Sequence, residues 1–188
     1  MKRKSKASAG LCLLLLAACA SAVVAATTTA KPDFTGTWVL DQSRSHSIPR
    51  DMEQTMTVRQ EGDRVTVETL IKTPQGERTV TDTYALDGKE TEFVPPPPPQ
   101  AQQPPGAQAP PAVVAKGRRR GEWLARGDGF VVYDEVTAEE KDGPSVVKTA
   151  RKWIMWPDGT MTIEIFEETA RGDFSRKRLF VRKPQKSS

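Results

Sequence analysis

The residues that could do chemistry in this chain are few, and their spacing argues against most chemistries. There is one histidine, His46, in a serine-rich stretch from Gln42 to Arg50. A nucleophile–base–carboxylate relay needs its imidazole held between two partners, and nothing around His46 supplies that frame. Both cysteines, Cys12 and Cys19, lie near the N-terminus, so the rest of the chain has neither a disulfide nor thiol chemistry. Metal centres usually draw on several His or Cys ligands. No metal and no cofactor is therefore expected. The adjacent pairs Glu139-Glu140 and Glu167-Glu168 point to opposite faces of any strand that carries them, so they are not the facing carboxylates of acid–base catalysis. The sequence contains no Gly-x-Gly-x-x-Gly and no P-loop. No catalytic residue is assigned.

What remains is charge on apolar faces. In alternating stretches, Asp82 shares a face with Val80 and Tyr84, and Asp134 with Phe130, Val132 and Val136. Arg151 likewise falls with Val147, Trp153 and Met155. An ionised group on an inward face must find a partner or bear a large desolvation cost. Two readings follow. The charges pair with one another, or a bulge turns them outward; alternatively, they are polar anchors in a pocket for an amphipathic molecule such as a fatty acid. A hydrolase or isomerase acting through Asp82 or Asp134 would need a substrate that nothing in the sequence names, and the chain is read as non-enzymatic.

The elements that must position these residues are strands. Turn chemistry recurs along the chain: Glu61-Gly62-Asp63, Pro74-Gln75-Gly76, Asp87-Gly88, Gly127-Asp128-Gly129, Asp142-Gly143-Pro144, Pro157-Asp158-Gly159 and Arg171-Gly172-Asp173. Between these turns lie runs rich in Val, Thr, Ile and aromatics. They predict strands over 35–41, 53–60, 63–72, 77–86, 89–94, 119–126, 129–139, 145–156, 159–168 and 173–183, with 42–50 an irregular connection. Short connections make neighbours antiparallel. Alternation gives one apolar face and one charged or Thr-rich face, as in Met161, Ile163 and Ile165 against Thr160, Thr162 and Glu164. The fold class is all-β, an up-and-down meander of about 8–10 strands that removes its edges by closing into a barrel. A membrane-spanning barrel would turn its apolar face outward; here Arg59, Arg64, Glu68 and Glu164 would meet lipid.

The first 26 residues read as an export signal: basic Met1–Lys6, apolar Leu11–Ala18, then small residues. Leu16-Ala17-Ala18-Cys19 fits a lipobox with Cys19 as the lipidated residue, and Val24-Ala25-Ala26 fits ordinary cleavage. Either way the expected location is periplasmic or secreted, with a membrane reached only through a lipid anchor. The formal charge of +4 is supplied by Lys2, Arg3, Lys4 and Lys6, so no nucleic-acid partner is implied. Residues 27–32 form a tether, and 33–94 with 117–184 form one domain. The interruption, 95–116, holds the run Pro95–Pro99 and two further Pro-Pro pairs. It reads as an extended or disordered insertion, solvated or else a docking segment. The arginines of Gly117-Arg118-Arg119-Arg120 close it.

One stretch carries a resemblance. Phe34-Thr35-Gly36-Thr37-Trp38-Val39-Leu40-Asp41 places Phe34, Gly36, Trp38 and Leu40 on one strand face. Gly36 leaves room for a close approach, and Trp38 fills one end of a core. This Gly-x-Trp strand resembles the first strand of the lipocalin and fatty-acid-binding-protein superfamily, the calycins. It is also similar to small secreted bacterial lipocalin-like proteins that begin Phe-x-Gly-Thr-Trp-x-Leu-Asp. The resemblance implies a calycin-like barrel for a small hydrophobic or amphipathic ligand, lined by Trp38, Met56, Val58, Val65, Val67, Asp82, Tyr84, Phe130, Val132, Trp153 and Met161. It also implies a late-strand arginine over Trp38, with Arg178 the first candidate and Arg182 the second. The Thr-Asp-Tyr motif of lipocalins is only approached in Thr81-Asp82-Thr83-Tyr84, and neither a C-terminal helix nor a helical lid is evident. The alternative is a filled barrel serving as a structural or interaction protein of the cell envelope. The oligomeric state is not set by the sequence.

Overall fold

A computed structural model describes residues 30–95, 115–140 and 143–184. The leader with Cys19, the tether up to residue 29 and the proline-rich run over 96–114 lie outside the described residues. Ten strands form one sheet: β1 (Gly36–His46), β2 (Glu53–Glu61), β3 (Arg64–Thr73), β4 (Gly76–Ala85), β5 (Asp87–Phe93), β6 (Ala115–Trp123), β7 (Gly129–Glu140), β8 (Gly143–Met155), β9 (Met161–Thr169) and β10 (Gly172–Arg182). The sheet order is β4-β3-β2-β1-β10-β9-β8-β7-β6-β5. Every hydrogen-bonded pair for which a register is defined is antiparallel, including β1 with β10. The meander thus wraps into a nearly closed barrel whose one split lies between the edge strands β4 and β5.

The alternation dictates which face turns inward. Val58 opposes Val67, Val65 opposes Tyr84, and Phe130 opposes Trp153. Opposed residues share a face, and these six join one buried cluster with Phe34, Trp38, Met56, Val132, Met161 and Phe180. The outer positions Arg59, Arg64 and Glu68 are exposed. Gly129 shows how tightly adjacent strands pack: a Cβ there would sit 1.8 Å from the Trp153 carbonyl oxygen, so only glycine fits.

Two strands, β1 and β6, differ from expectation by more than two residues at an end. β1 runs on to His46 through what the sequence suggested was an irregular connection, and its register against β10 shifts between Asp41 and His46. Ser45 carries the strand through this bulge. Its hydroxyl donates to the Asp41 carbonyl (2.6 Å) and accepts the Leu179 N–H (2.9 Å), standing in for ladder groups. β6 begins at Ala115 rather than 119 and ends at Trp123 rather than 126. Gly117–Arg120 therefore belongs to the sheet. Alternation sends Arg118 and Arg120 outward and Arg119 inward, where Arg119 is buried.

Candidate functional site

The barrel interior has an apolar closed end and a charged half. At the closed end the chain before β1 crosses the barrel and inserts Phe34, which is fully buried. Its backbone is tied down on several sides. The Phe34 N–H donates to Gln60 (3.0 Å), the Phe34 carbonyl accepts the Trp38 indole N–H (2.8 Å), and Arg182 donates to the Asp33 carbonyl (3.1 Å). The Phe34 ring meets Phe130 edge-on at 5.0 Å, and Phe130 stacks on Trp153 at 5.2 Å. Tyr84 and Trp123 close the ring of aromatics against Phe130 at 6.3 and 5.9 Å. Asp63 seals the base of the split: it accepts from Trp123 (2.8 Å) and pairs with Lys31, while its carbonyl takes the Leu86 N–H (2.8 Å). These bonds hold the Asp63 carboxyl below its usual range, Lys31 contributing most.

The arginine over Trp38 is Arg182, with its guanidinium 4.7 Å from the ring centroid, and not Arg178. The register explains the correction. Trp38 lies directly opposite Arg182 across the β1–β10 pair, whereas Arg178 sits four residues back along β10, where the bulge falls. At Gly36 a Cβ would make only ordinary contact with the Arg182 guanidinium, at 3.8 Å, so glycine is favoured there by its φ of +140° and not by the room anticipated for a close approach.

One layer further along the barrel lies the charged half. Arg119 is its centre. Its guanidinium grips Asp134 through two bonds (Nε to Oδ1 2.6 Å, and 2.9 Å to Oδ2) and reaches across the split to Asp82 on β4 (3.1 Å). It also lies over the rings of Tyr84 (4.9 Å) and Phe93 (4.2 Å). Asp134 receives a second guanidinium, that of Arg151. The interior charges singled out in the sequence, Asp82, Asp134 and Arg151, thus meet in one network. Its hub, Arg119, was hidden in a basic run that read as the end of a loop. Burial pulls the Arg119 pKa down, and the bonds and charge of Asp134 outweigh this, so it stays above the usual arginine value. Burial, followed by the Asp82 charge, pushes the Tyr84 hydroxyl up.

Arg178 is the exception among the interior charges, and by register it lies on the row of Ile163 and Trp153 at the border of the closed end. It donates to the Gln54 side-chain oxygen (3.0 Å), and no carboxylate among the described residues lies within ion-pair distance of it. Its Nε is buried and has no hydrogen-bond partner there. Burial lowers its pKa first, and the charges of Arg176, Arg151 and Arg78 lower it further. A second buried donor without a partner, the Trp153 indole N–H, lies on the same inner row: Trp153 and Arg178 both oppose Ile163, from either side. Beyond the charged layer burial fades. Ile71, Val80, Val136 and Val147 are half-buried, and Phe174 is exposed. Arg176 there is paired with Glu167 at 3.1 Å.

Of the eleven residues expected to line a pocket, all but Asp82 are buried, and Trp38, Tyr84, Phe130 and Trp153 belong to the packed closed end. Trp156 lies on the outer face, where its indole donates to Thr162 (3.0 Å). His46 ends β1, across from Lys177. Among the described residues no group of three or more His, Cys, Asp or Glu side chains is placed to hold a metal ion.

No family model and no curated protein matches this chain. Among solved structures, it is similar to a crystal structure of zebrafish ileal bile acid-binding protein complexed with cholic acid. The identity is 15%, over 80% of this chain and 98% of that one, with a TM-score of 0.46.

Proposed function

We propose that this chain is an exported binding module whose barrel takes a small amphipathic ligand, a fatty acid or related lipid, with its anionic head on Arg178. The observation that carries the reading is the absence of a counter-ion for Arg178. Of these interior charges, Arg119, Arg151 and Arg178 outnumber Asp82 and Asp134, and both carboxylates are engaged by Arg119. A desolvated cation without an anion is costly. A ligand carboxylate would supply both the missing charge and the acceptor that the Arg178 Nε lacks. The Trp153 N–H is a second buried donor without a partner on that inner row, two strands from Arg178. The half-buried apolar residues beyond the charged layer suit an acyl chain, whereas the closed end is already occupied by rings in contact. The leader supports export. The filled closed end favours a second reading, a structural barrel without a ligand, and the experiment separates the two.

The test is displacement of a fluorescent fatty-acid probe from the purified domain by a long-chain fatty acid and by the alcohol of equal length. The expected result is preference for the acid, lost in Arg178→Met. A charge-assisted hydrogen bond of about 1.5–3 kcal/mol corresponds to roughly 10- to 100-fold weaker binding. Arg178→Met should unfold at the same or higher urea concentration than the parent, because a buried cation without a partner is removed. A folded protein that takes up no probe, or an Arg178→Met variant that keeps the preference for the acid, would overturn the proposal in favour of the filled barrel.

A further inference from the structure

A cleft of about 650 Å³ lies on the outer wall of the barrel, on the opposite face of the sheet from Arg178. It is lined mostly by outward positions from every strand between β5 and β10, with the inward positions Asp134, Thr149, Glu167 and Phe174 lying between them along their strands, and the registers order the outward ones into two rows running across the strands. The first row is Glu90–Arg120–Tyr133–Ala150–Phe166–Ser175. The second, two residues along each strand, includes Arg118–Glu135–Lys148–Glu168–Asp173. Six strands at about 4.8 Å spacing make a groove about 24 Å long, and two residues along a strand make it about 7 Å wide. That is the footprint of a single extended chain.

The first row has an aromatic ring on each side of a small residue. Tyr133 is 40% exposed, with the Arg120 guanidinium 5.0 Å from its ring centroid on one side, and Phe166 is 53% exposed, with Ala150 between the two rings. Exposed rings lined up across a groove mark an interaction surface. They stand two strands apart, about 9.6 Å, which matches one three-residue turn of a polyproline II helix, about 9.3 Å. The second row acts as a charged rail. Arg118 is neutralised by Glu135 (2.8 Å) and by Glu90 (3.5 Å). At the β9–β10 end Lys148 lies 3.9 Å from Glu168, and Asp173 has no cationic partner among the described residues. Negative charge is therefore left over at one end, next to Phe166.

From this geometry we infer that the outer groove docks a proline-rich peptide of a partner protein, in polyproline II conformation and with the pattern Pro-x-x-Pro-x-Arg. The two prolines sit on Tyr133 and Phe166, and the basic residue reaches Glu168 and Asp173. Rings beside a preformed polyproline helix are a recurring recognition mode, and charge beyond the second ring fixes the peptide's direction. The chain's own run Pro95–Pro105 has the prolines but no charge, which makes it a matched comparison peptide.

The test is calorimetric titration of the purified protein with a capped synthetic Pro-x-x-Pro-x-Arg peptide. The expected result is saturable binding that weakens at least tenfold in Tyr133→Ala and in Phe166→Ala, and several-fold in Asp173→Asn or in raised salt. These side chains stand on the surface, so an unchanged circular dichroism spectrum is expected for each variant. Moving the second proline one residue closer should weaken binding as much as losing a ring. Absence of binding, or binding indifferent to both rings, would overturn the inference. So would equal affinity for the uncharged Pro95–Pro105 peptide, or uptake of a neutral oligosaccharide in place of the peptide. Arg178→Met leaves this groove intact, so peptide binding and fatty-acid binding stand or fall separately.

Discussion

The closed end of the barrel and its charged half lie one layer apart, and they fill the interior by opposite means. At the closed end Phe34, Trp38, Phe130 and Trp153 exclude water by volume. Many weak contacts are shared there, and no single direction is privileged. In the charged half Arg119, Asp82, Asp134 and Arg151 exclude water by matching charge and hydrogen-bond geometry. Each group there is tolerable only while its partner stays in place. The difference matters for binding. A packed layer leaves little for a ligand to add, whereas directional partners announce any missing one, as Arg178 does where the two layers meet. The split between β4 and β5 makes the contrast sharper, because the Arg119–Asp82 bond crosses it where no backbone ladder does.

The comparison breaks most visibly under substitution. Phe34→Ala removes a fully buried ring and unties the segment that plugs the barrel. We expect a loss of about 3–5 kcal/mol, read from urea unfolding. Phe34→Leu, which keeps most of the volume, should cost less than about 1.5 kcal/mol. The charged half should not forgive a swap of similar shape. Arg119→Met preserves length and packing, yet it leaves Asp82 without a partner and Asp134 with Arg151 alone. Its expected cost is about 3 kcal/mol, toward the lower end for a broken buried pair because Arg151 remains. Adding Asp134→Asn to Arg119→Met should then cost less than Asp134→Asn by itself, a coupling that a double-mutant cycle reads directly. If Arg119→Met proves as harmless as Phe34→Leu, or if the two substitutions are additive, the layers do not differ in kind.

How much of this was legible before folding follows from the same distinction. The closed end was readable because volume packing needs only polarity and period. Alternation alone placed Met56, Val58, Val65, Val67 and Tyr84 on one face, and the registers pair Val58 with Val67 and Val65 with Tyr84 as that face requires. The same alternation put Asp82, Asp134 and Arg151 indoors. It could not say which group meets which, because partners such as Asp82 and Arg119 lie 37 residues apart in sequence. Arg119 itself was obscured by its neighbours. In Arg118-Arg119-Arg120 three like charges look like a solvated run, and only membership of β6 separates the inward one from the two outward ones. Gly117 and Gly121 flank that run with the same period of two. A Cβ at Gly117 would strike the Phe93 ring at 2.4 Å, and one at Gly121 the Ala85 carbonyl oxygen at 2.5 Å. Small residues alternating with arginines were therefore the available sign of a strand whose inner face runs close to its neighbours. The outer groove had no such sign, since Tyr133, Ala150 and Phe166 become neighbours only through registers that the sequence does not print.

The smallest effect tests where one layer ends. Arg182 belongs to the closed end by position but acts by charge: its guanidinium lies over Trp38 and donates to the Asp33 carbonyl. The residue is exposed at its surface end, so the stack is worth about 0.5–1 kcal/mol. Arg182→Ala should lower the unfolding free energy read from urea by that amount and leave the near-ultraviolet signal of the buried tryptophans in place. Arg182→Lys should recover less than half of the loss, because an ammonium cannot lie flat on an indole as a guanidinium does. A loss as large as that of Phe34→Ala would mean that the Arg182 bond to Asp33, and not ring volume, holds the plugging segment. The closed end would then be built by pairing, as the charged half is.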